Sequence, residues 1–125
     1  MKTHEEIIRD YIEAYNQFDI DKMMENLDDE VLFENIQGGQ KTLTLTGRDS
    51  FRQQAVQALS YFSLRTQTIQ SFRHDDPVTE IEIDYHAKLA MDFPNGWKKG
   101  DEIRLKGKSL FEFRGNKIIK LTDIS

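Results

Sequence analysis

The chain has no cysteine, which excludes a disulfide framework, a thiol nucleophile and any metal centre built on thiolates. Its three histidines, His4, His74 and His86, stand far apart. No HxxxH or His-x-His spacing brings two imidazoles to one face, so neither a metal site nor a cofactor is expected. A glycine-rich phosphate cradle and a serine nucleophile elbow are also missing. No apolar run approaches the ~20 residues of a membrane span. The N-terminus runs straight into a helical pattern without the features of a signal peptide, which predicts a cytoplasmic protein with no membrane partner. Basic residues are in the minority, 17 Lys plus Arg against 22 Asp plus Glu for a net charge of −5. Apart from Lys98-Lys99 and the alternating Arg104, Lys106 and Lys108 they are scattered, so the dense positive footprint of a nucleic-acid binder is lacking.

What remains is the composition of one soluble domain over residues 1–125, large enough to bury a core and too small for two. Ile7, Ile8, Tyr11, Ile12, Tyr15 and Phe18 recur at the spacing of one helical face, with Glu5, Glu6, Arg9, Asp10, Glu13 and Asn16 on the other, which predicts a helix over 4–18. Thr3 and Glu6 are placed as its capping box. Asp19 is a candidate N-cap for a second helix whose buried stripe is Ile20, Met23, Met24 and Leu27, ending in Asp28-Asp29-Glu30. A hairpin follows, 31–36 and 42–46 around Gln37-Gly38-Gly39-Gln40. Phe51, Ala55, Ala58, Leu59 and Phe62 then predict a third helix over 49–62.

The rest reads as strand. Residues 65–74 form a Thr- and Gln-rich segment that stops near Asp76-Pro77. From 78 to 93 the alternation puts Ile81, Ile83, Tyr85, Ala87, Leu89 and Met91 on one face, and Glu80, Glu82, Asp84, His86 and Lys88 on the other. After Pro94-Asn95-Gly96-Trp97, residues 103–113 return, and Gly115-Asn116 turns the chain into 117–124. The order α-α-β-β-α-β-β-β-β predicts an α+β fold, helices packed on one face of an antiparallel sheet.

In this order the motifs Tyr11-Ile12-Glu13-Ala14-Tyr15 before Asp19-Ile20-Asp21, Asp28 to Asn35, Gly47-Arg48-Asp49-Ser50-Phe51, Gly107 to Phe113 and Gly115 to Ile119 resemble the nuclear transport factor 2-like superfamily. That superfamily includes ketosteroid isomerases, SnoaL-like polyketide cyclases, limonene epoxide hydrolases and scytalone dehydratase. The resemblance spans almost the whole chain. It implies a cone-shaped, cystatin-like α+β roll, three helices against the concave face of a curved sheet, a mostly apolar cavity between them, and a homodimer through the outer sheet face. Ile118, Tyr61 and His86 are candidate contacts there.

Against the isomerase branch the resemblance is incomplete. Tyr11 matches the tyrosine that donates to a developing oxyanion, but the Glu-Asp pair of the first strand reads Glu34-Asn35. An amide cannot act as a general base near neutral pH. The oxyanion-supporting aspartic acid of a late strand matches Ser109, a neutral donor. Steroid isomerisation is therefore not expected.

Two carboxylates could replace the missing base. Glu34 would do so only if a bulge shifted its strand by one residue, because regular alternation from Phe33 turns Phe33 and Asn35 inward and Glu34 out. Asp123 shares parity with Ile119 and Leu121, near a position where some cyclase-like relatives keep an inward acid. Tyr11 and Tyr15 share a helical face, either as core rings with bonded tips or as a polar-tipped lining. His86, with Asp84, belongs to the outer face by parity. The expected cavity thus has Tyr11, Tyr15, Asn35, Tyr85 and Ser109 as polar rim and Phe33, Phe51, Trp97 and Phe111 as walls. It would bind a small, hydrophobic compound bearing a carbonyl or hydroxyl. The same hollow could serve an isomerase, cyclase or dehydratase using Tyr11 with Glu34 or Asp123, or the chain could be a non-catalytic dimeric module with a filled core.

Overall fold

The computed structural model describes residues 2–125. Helices α1 (His4–Asn16) and α2 (Ile20–Glu25) come first, then the hairpin β1 (Leu27–Gln37) and β2 (Gln40–Thr46), helix α3 (Arg48–Ala58), and the meander β3 (Phe62–Asp75), β4 (Val78–Leu89), β5 (Glu102–Arg114) and β6 (Lys117–Ile124). The capping box of α1 forms: Thr3 Oγ1 accepts from Glu6 N at 3.1 Å while the Glu6 carboxylate accepts from Thr3 N. Asp19 caps α2 by accepting from Lys22 N. The β1–β2 turn uses Gly38 and Gly39 at φ 58° and 79°, the paired left-handed conformations that a two-residue hairpin demands and that glycine adopts without strain.

Six strands form one curved sheet in the order β2-β1-β6-β5-β4-β3. The α+β class and the helices-first order are as expected, but one pairing is not antiparallel. Helix α3 carries the chain back across the sheet, so β3 starts in the direction of β2, and three reversals later β6 lies parallel to β1. Element ends also differ. Strand β1 begins at Leu27, a residue expected in the α2 stripe, and takes in the acidic run, because Leu27 pairs with Ile118 ahead of an irregularity that ends at Leu32. Helix α3 stops at Ala58, and Phe62 opens β3 by pairing with Leu89. Strand β4 ends at Leu89, leaving Met91 exposed in the following loop.

The core lies between the helices and the inner sheet face. Ile7, Ile8, Ile12, Met23 and Met24 pack there against Ile81, Phe111, Ile118 and Leu121. At ~25 cal/mol per Å2 of apolar area removed from water, burying each such side chain stabilises the fold by about 1.5–3 kcal/mol. Ile118 is 0% exposed, which removes it from the candidate dimer contacts. Among the described residues no helix is long and apolar enough to cross a membrane.

Helix α1 ends in a Schellman motif, with Asp19 N donating to Ala14 O at 2.9 Å and Phe18 N to Tyr15 O at 3.2 Å. Glycine usually takes the left-handed position of this motif. Here Phe18 does, at φ 59°, a conformation that costs a bulky residue about 1–3 kcal/mol.

Candidate functional site

The strand register assembles two rows of side chains on the inner face. Ser109 pairs with Asp123, Asp123 with Asn35, and Asn35 with Leu43, so one row crosses β5, β6, β1 and β2. The next row is Phe111, Leu121, Phe33 and Leu45. Helix α3 stands over the β1–β2 end, where Phe51 meets Phe33 edge-on with ring centroids 5.0 Å apart. Helix α1 brings Tyr11 over Phe111 at 5.9 Å, also edge-on.

Between these layers lies a recess of about 230 Å3. Its apolar wall includes Met23, Phe33, Leu45, Phe51, Ala55 and Phe62, and its polar groups are Tyr11, Tyr15, Asn35, Gln54, Arg65 and Asp123. A wider depression of about 510 Å3 is lined by Thr66, Asp84, His86, Arg104 and Lys106. It is a shallow feature mostly of outward-facing residues, and the one group in its lining whose pKa burial raises, Tyr85, is bonded to Tyr15. The smaller recess is where buried polar groups converge, the usual mark of a ligand site.

Asp123 accepts a 2.7 Å hydrogen bond from Ser109 Oγ. Burial pushes its carboxyl up to about 6, the Ser109 bond opposing this in part. The Tyr11 phenol is raised far above its ordinary range, by burial first and then by the charge of Asp123, while Arg65 acts the other way; no side-chain hydrogen bond contributes. Tyr15 is raised by burial too, and its hydroxyl lies 3.0 Å from that of Tyr85. Both α1 tyrosines are therefore neutral donors at any working pH.

Several expected site residues fall elsewhere. Glu34 sits on the outer face, since the only irregularity in the β1–β2 pairing comes after Asn35 and leaves the alternation intact. It is not solvated as expected: Lys41 and Lys120, the latter at 3.3 Å, cover it to 8% exposure. Their charges hold its carboxyl below the usual range, with Lys41 the leading cause. It cannot reach the recess and is not a candidate base. Trp97 is 40% exposed in the loop between β4 and β5 and is not part of the recess lining. Phe111 is wholly buried beneath Tyr11, and Ser109 and Tyr85 act behind the wall through Asp123 and Tyr15. Asn35 does line the recess and donates to Thr42 Oγ1 at 2.9 Å. His86 bonds Glu102 at 2.8 Å on the outer face, and Tyr61 packs against Phe62 and Phe93.

Arg65 has no counterpart among the expected site residues. It is 2% exposed, lines the recess, and donates from Nε to Tyr15 O at 2.8 Å. Its guanidinium lies 3.8 Å from the Tyr15 ring centroid and 4.5 Å from that of Phe18. Alternation marks no clear inner face here: Ile69 shares the parity of Arg65, but Leu64 has the opposite one, and register shifts lie on either side, between Phe62 and Leu64 and between Ile69 and Ser71.

The arrangement defines a class: an α+β roll whose helices and inner sheet face enclose a small hollow lined by a half-buried acid and a buried phenol. The SnoaL-like domain family model matches residues 8–121, and the chain belongs to that family, within the nuclear transport factor 2-like superfamily. No curated protein matches it. A candidate polyketide cyclase from Xanthomonas campestris pv. campestris superposes with a TM-score of 0.84 at 19% identity, covering 98% of this chain and 89% of that one. IdmH, a candidate polyketide cyclase from Streptomyces antibioticus, gives 0.80 at 13% identity over 98% and 91%. An NTF2-like protein of unknown function from Burkholderia pseudomallei gives 0.79 at 15% identity over 98% and 90%. At such identities these likenesses show the fold, and activity has to be argued from the site.

Proposed function

We propose that the recess binds a small, largely apolar carbonyl compound, and that Asp123 moves a proton at the carbon beside the carbonyl while Tyr11 donates to its oxygen. The observation that carries this reading is that Asp123 and Tyr11 line one hollow, where burial pushes the carboxyl up to about 6 and the phenol has no side-chain hydrogen-bond partner among the described residues. A base with that pKa is mostly ionised at neutral pH yet still basic enough to take a proton. The C–H proton passes to the Asp123 carboxylate and the electron pair to the carbonyl oxygen, giving an enolate held by Tyr11. Return of the proton to another carbon is isomerisation; attack of the enolate on a second carbonyl is cyclisation. Preorganised donors of this kind contribute about 10^2–10^3-fold. The polyketide cyclase descriptions of structural neighbours support the same chemical class.

Size narrows the substrate. An apolar cavity of about 150 Å3 accommodates benzene, whereas drug-sized ligands occupy about 300–1,000 Å3. The 230 Å3 here suits one ring or a fused pair and is too small for a steroid.

The test is deuterium incorporation from D2O into cyclohexanone and 1-tetralone, followed by NMR. Wild type is expected to exceed the buffer rate, Asp123→Asn to lose at least about 100-fold and Tyr11→Phe about tenfold or more. Full exchange in Asp123→Asn would remove the proton-transfer assignment. Ligand-induced thermal stabilisation without exchange would reduce the recess to a binding site.

We also infer a homodimer through the outer sheet face. The family resemblance supports it, as does the half-buried set Leu32, Ile36, Leu110 and Ile124 that the register places on that face. Sedimentation velocity showing only monomer at micromolar concentration would contradict it.

A further inference from the structure

We propose that Arg65 is an anion subsite within this recess, so that the ligand carries a carboxylate at the end remote from Asp123. The inference rests on the reading of the recess as a small-molecule site and specifies its occupant. It starts from an unbalanced charge. Arg65 takes part in none of the ion pairs among the described residues, and its buried Nη2 has no hydrogen-bond partner. A buried guanidinium without an anion is costly unless something compensates it.

The surroundings compensate only one side of the group. Nε is bonded to a carbonyl in the last turn of α1, where a helix favours a cation, and the two ring faces of Tyr15 and Phe18 flank the guanidinium. Phe18 is held in its left-handed conformation at the Schellman position, where glycine would be unstrained, and the ring that glycine lacks is the one against Arg65. These contacts hold the guanidinium at one side and leave its enclosed Nη2 without a partner. Gln67 Oε1, also buried and unpartnered, lies two residues along the same face of β3, but a neutral acceptor does not cancel the charge. Planar two-point recognition of a carboxylate is what a fixed guanidinium edge does best.

Arg65 and Asp123 are separate poles of the hollow. No ion pair joins them, and their strands β6 and β3 are separated in the sheet by β5 and β4. Tyr11 packs on Phe111 of β5 and Tyr15 bonds Tyr85 of β4, so the tyrosines lie between the poles. A ligand spanning them would set its carboxylate on Arg65 and its reacting carbon towards Asp123, which points to a small keto or aryl acid.

The experiment titrates the full chain with benzoate and cinnamate and with their neutral counterparts benzamide and cinnamamide. Affinity is read by calorimetry and the Arg65 guanidinium by 15N NMR. The expected result is a preference for the acids of at least about tenfold and an Arg65 side-chain shift with the acids only. Arg65→Lys should keep part of the preference and Arg65→Met none. Because Arg65 also ties α1 to β3, the wild-type NMR signal decides the matter if Arg65→Met fails to fold. Equal affinity for acid and amide would overturn the anion subsite and leave the cavity reading intact. Binding of none of the four at millimolar concentration would overturn both.

Discussion

Glu34 and Asp123 lie on adjacent parallel strands one position apart in register, Glu34 opposite Thr122 and Asp123 opposite Asn35, yet their carboxyls behave in opposite ways. Glu34 points outward, where Lys41 and Lys120 hold it in the charged form. Asp123 points inward, where burial favours its neutral form and only Ser109 supports the anion. The pleat that exchanges faces at every residue makes one an ion pair and the other a base poised near neutrality. Chemistry on this sheet is therefore decided by parity before residue type.

The sharpest way to break that comparison is to neutralise each acid in turn. Asp123→Asn is expected to abolish carbonyl-α exchange, by about 100-fold or more, whereas Glu34→Gln should leave it unchanged. A loss in Glu34→Gln as deep as in Asp123→Asn would mean that the outer pair supports the reaction, and the contrast would fail.

Stability should separate the two acids by pH. The folded protein binds the Asp123 proton more tightly than the unfolded chain does, so this group's contribution is complete below its ordinary 3.8 and lost as pH rises through about 6. That interval corresponds to about 3 kcal/mol. Asp123→Asn should therefore match wild type at pH 3.5 and exceed it by up to about 3 kcal/mol at pH 8, measured by urea unfolding. A constant difference across that range would place Asp123 in a solvated setting. Glu34 has the opposite sign, its folded pKa being depressed. Its contribution is present above the ordinary carboxylate range and lost as pH falls through the depressed value. Because its lysine partners are half exposed, Glu34→Gln should shift Tm by less than about 4 °C at pH 7.

The smallest effect is expected at Trp97, whose ring stands clear of the recess. Trp97→Ala should leave ligand affinity within about twofold by calorimetry, since truncating a side chain outside the contact surface removes no binding energy. A tenfold loss would mean that the β4–β5 loop closes over the site.

Much of the fold was legible along the chain. The 3.6-residue stripe of α1, its Thr3–Glu6 capping box and the Asp19 cap are local features and appear as expected. So does the alternation of β4, because its inner residues from Ile81 to Leu89 are apolar or aromatic. The ends of α3 and β1 were not legible. Phe62 satisfies a helical period as well as a strand's, and Leu27 ends up in a pairing with Ile118, ninety residues away. The same limit applied to the site. Tyr11 and Asn35 sit on clearly patterned elements and line the recess, whereas Arg65 lies on a strand whose polar composition gives little inner face to read.

The sequence by itself determined which elements form, in what order, and which face of each clearly patterned element is buried, because these follow from periodicity and caps within a dozen residues. Only the tertiary structure decided that Ser109, Asp123 and Asn35 share a row, that β6 runs parallel to β1, and that a guanidinium is locked between Tyr15 and Phe18. Those are pairings between segments up to about a hundred residues apart, set by cross-strand register and bulges and by what each group finds to bond with once water is gone.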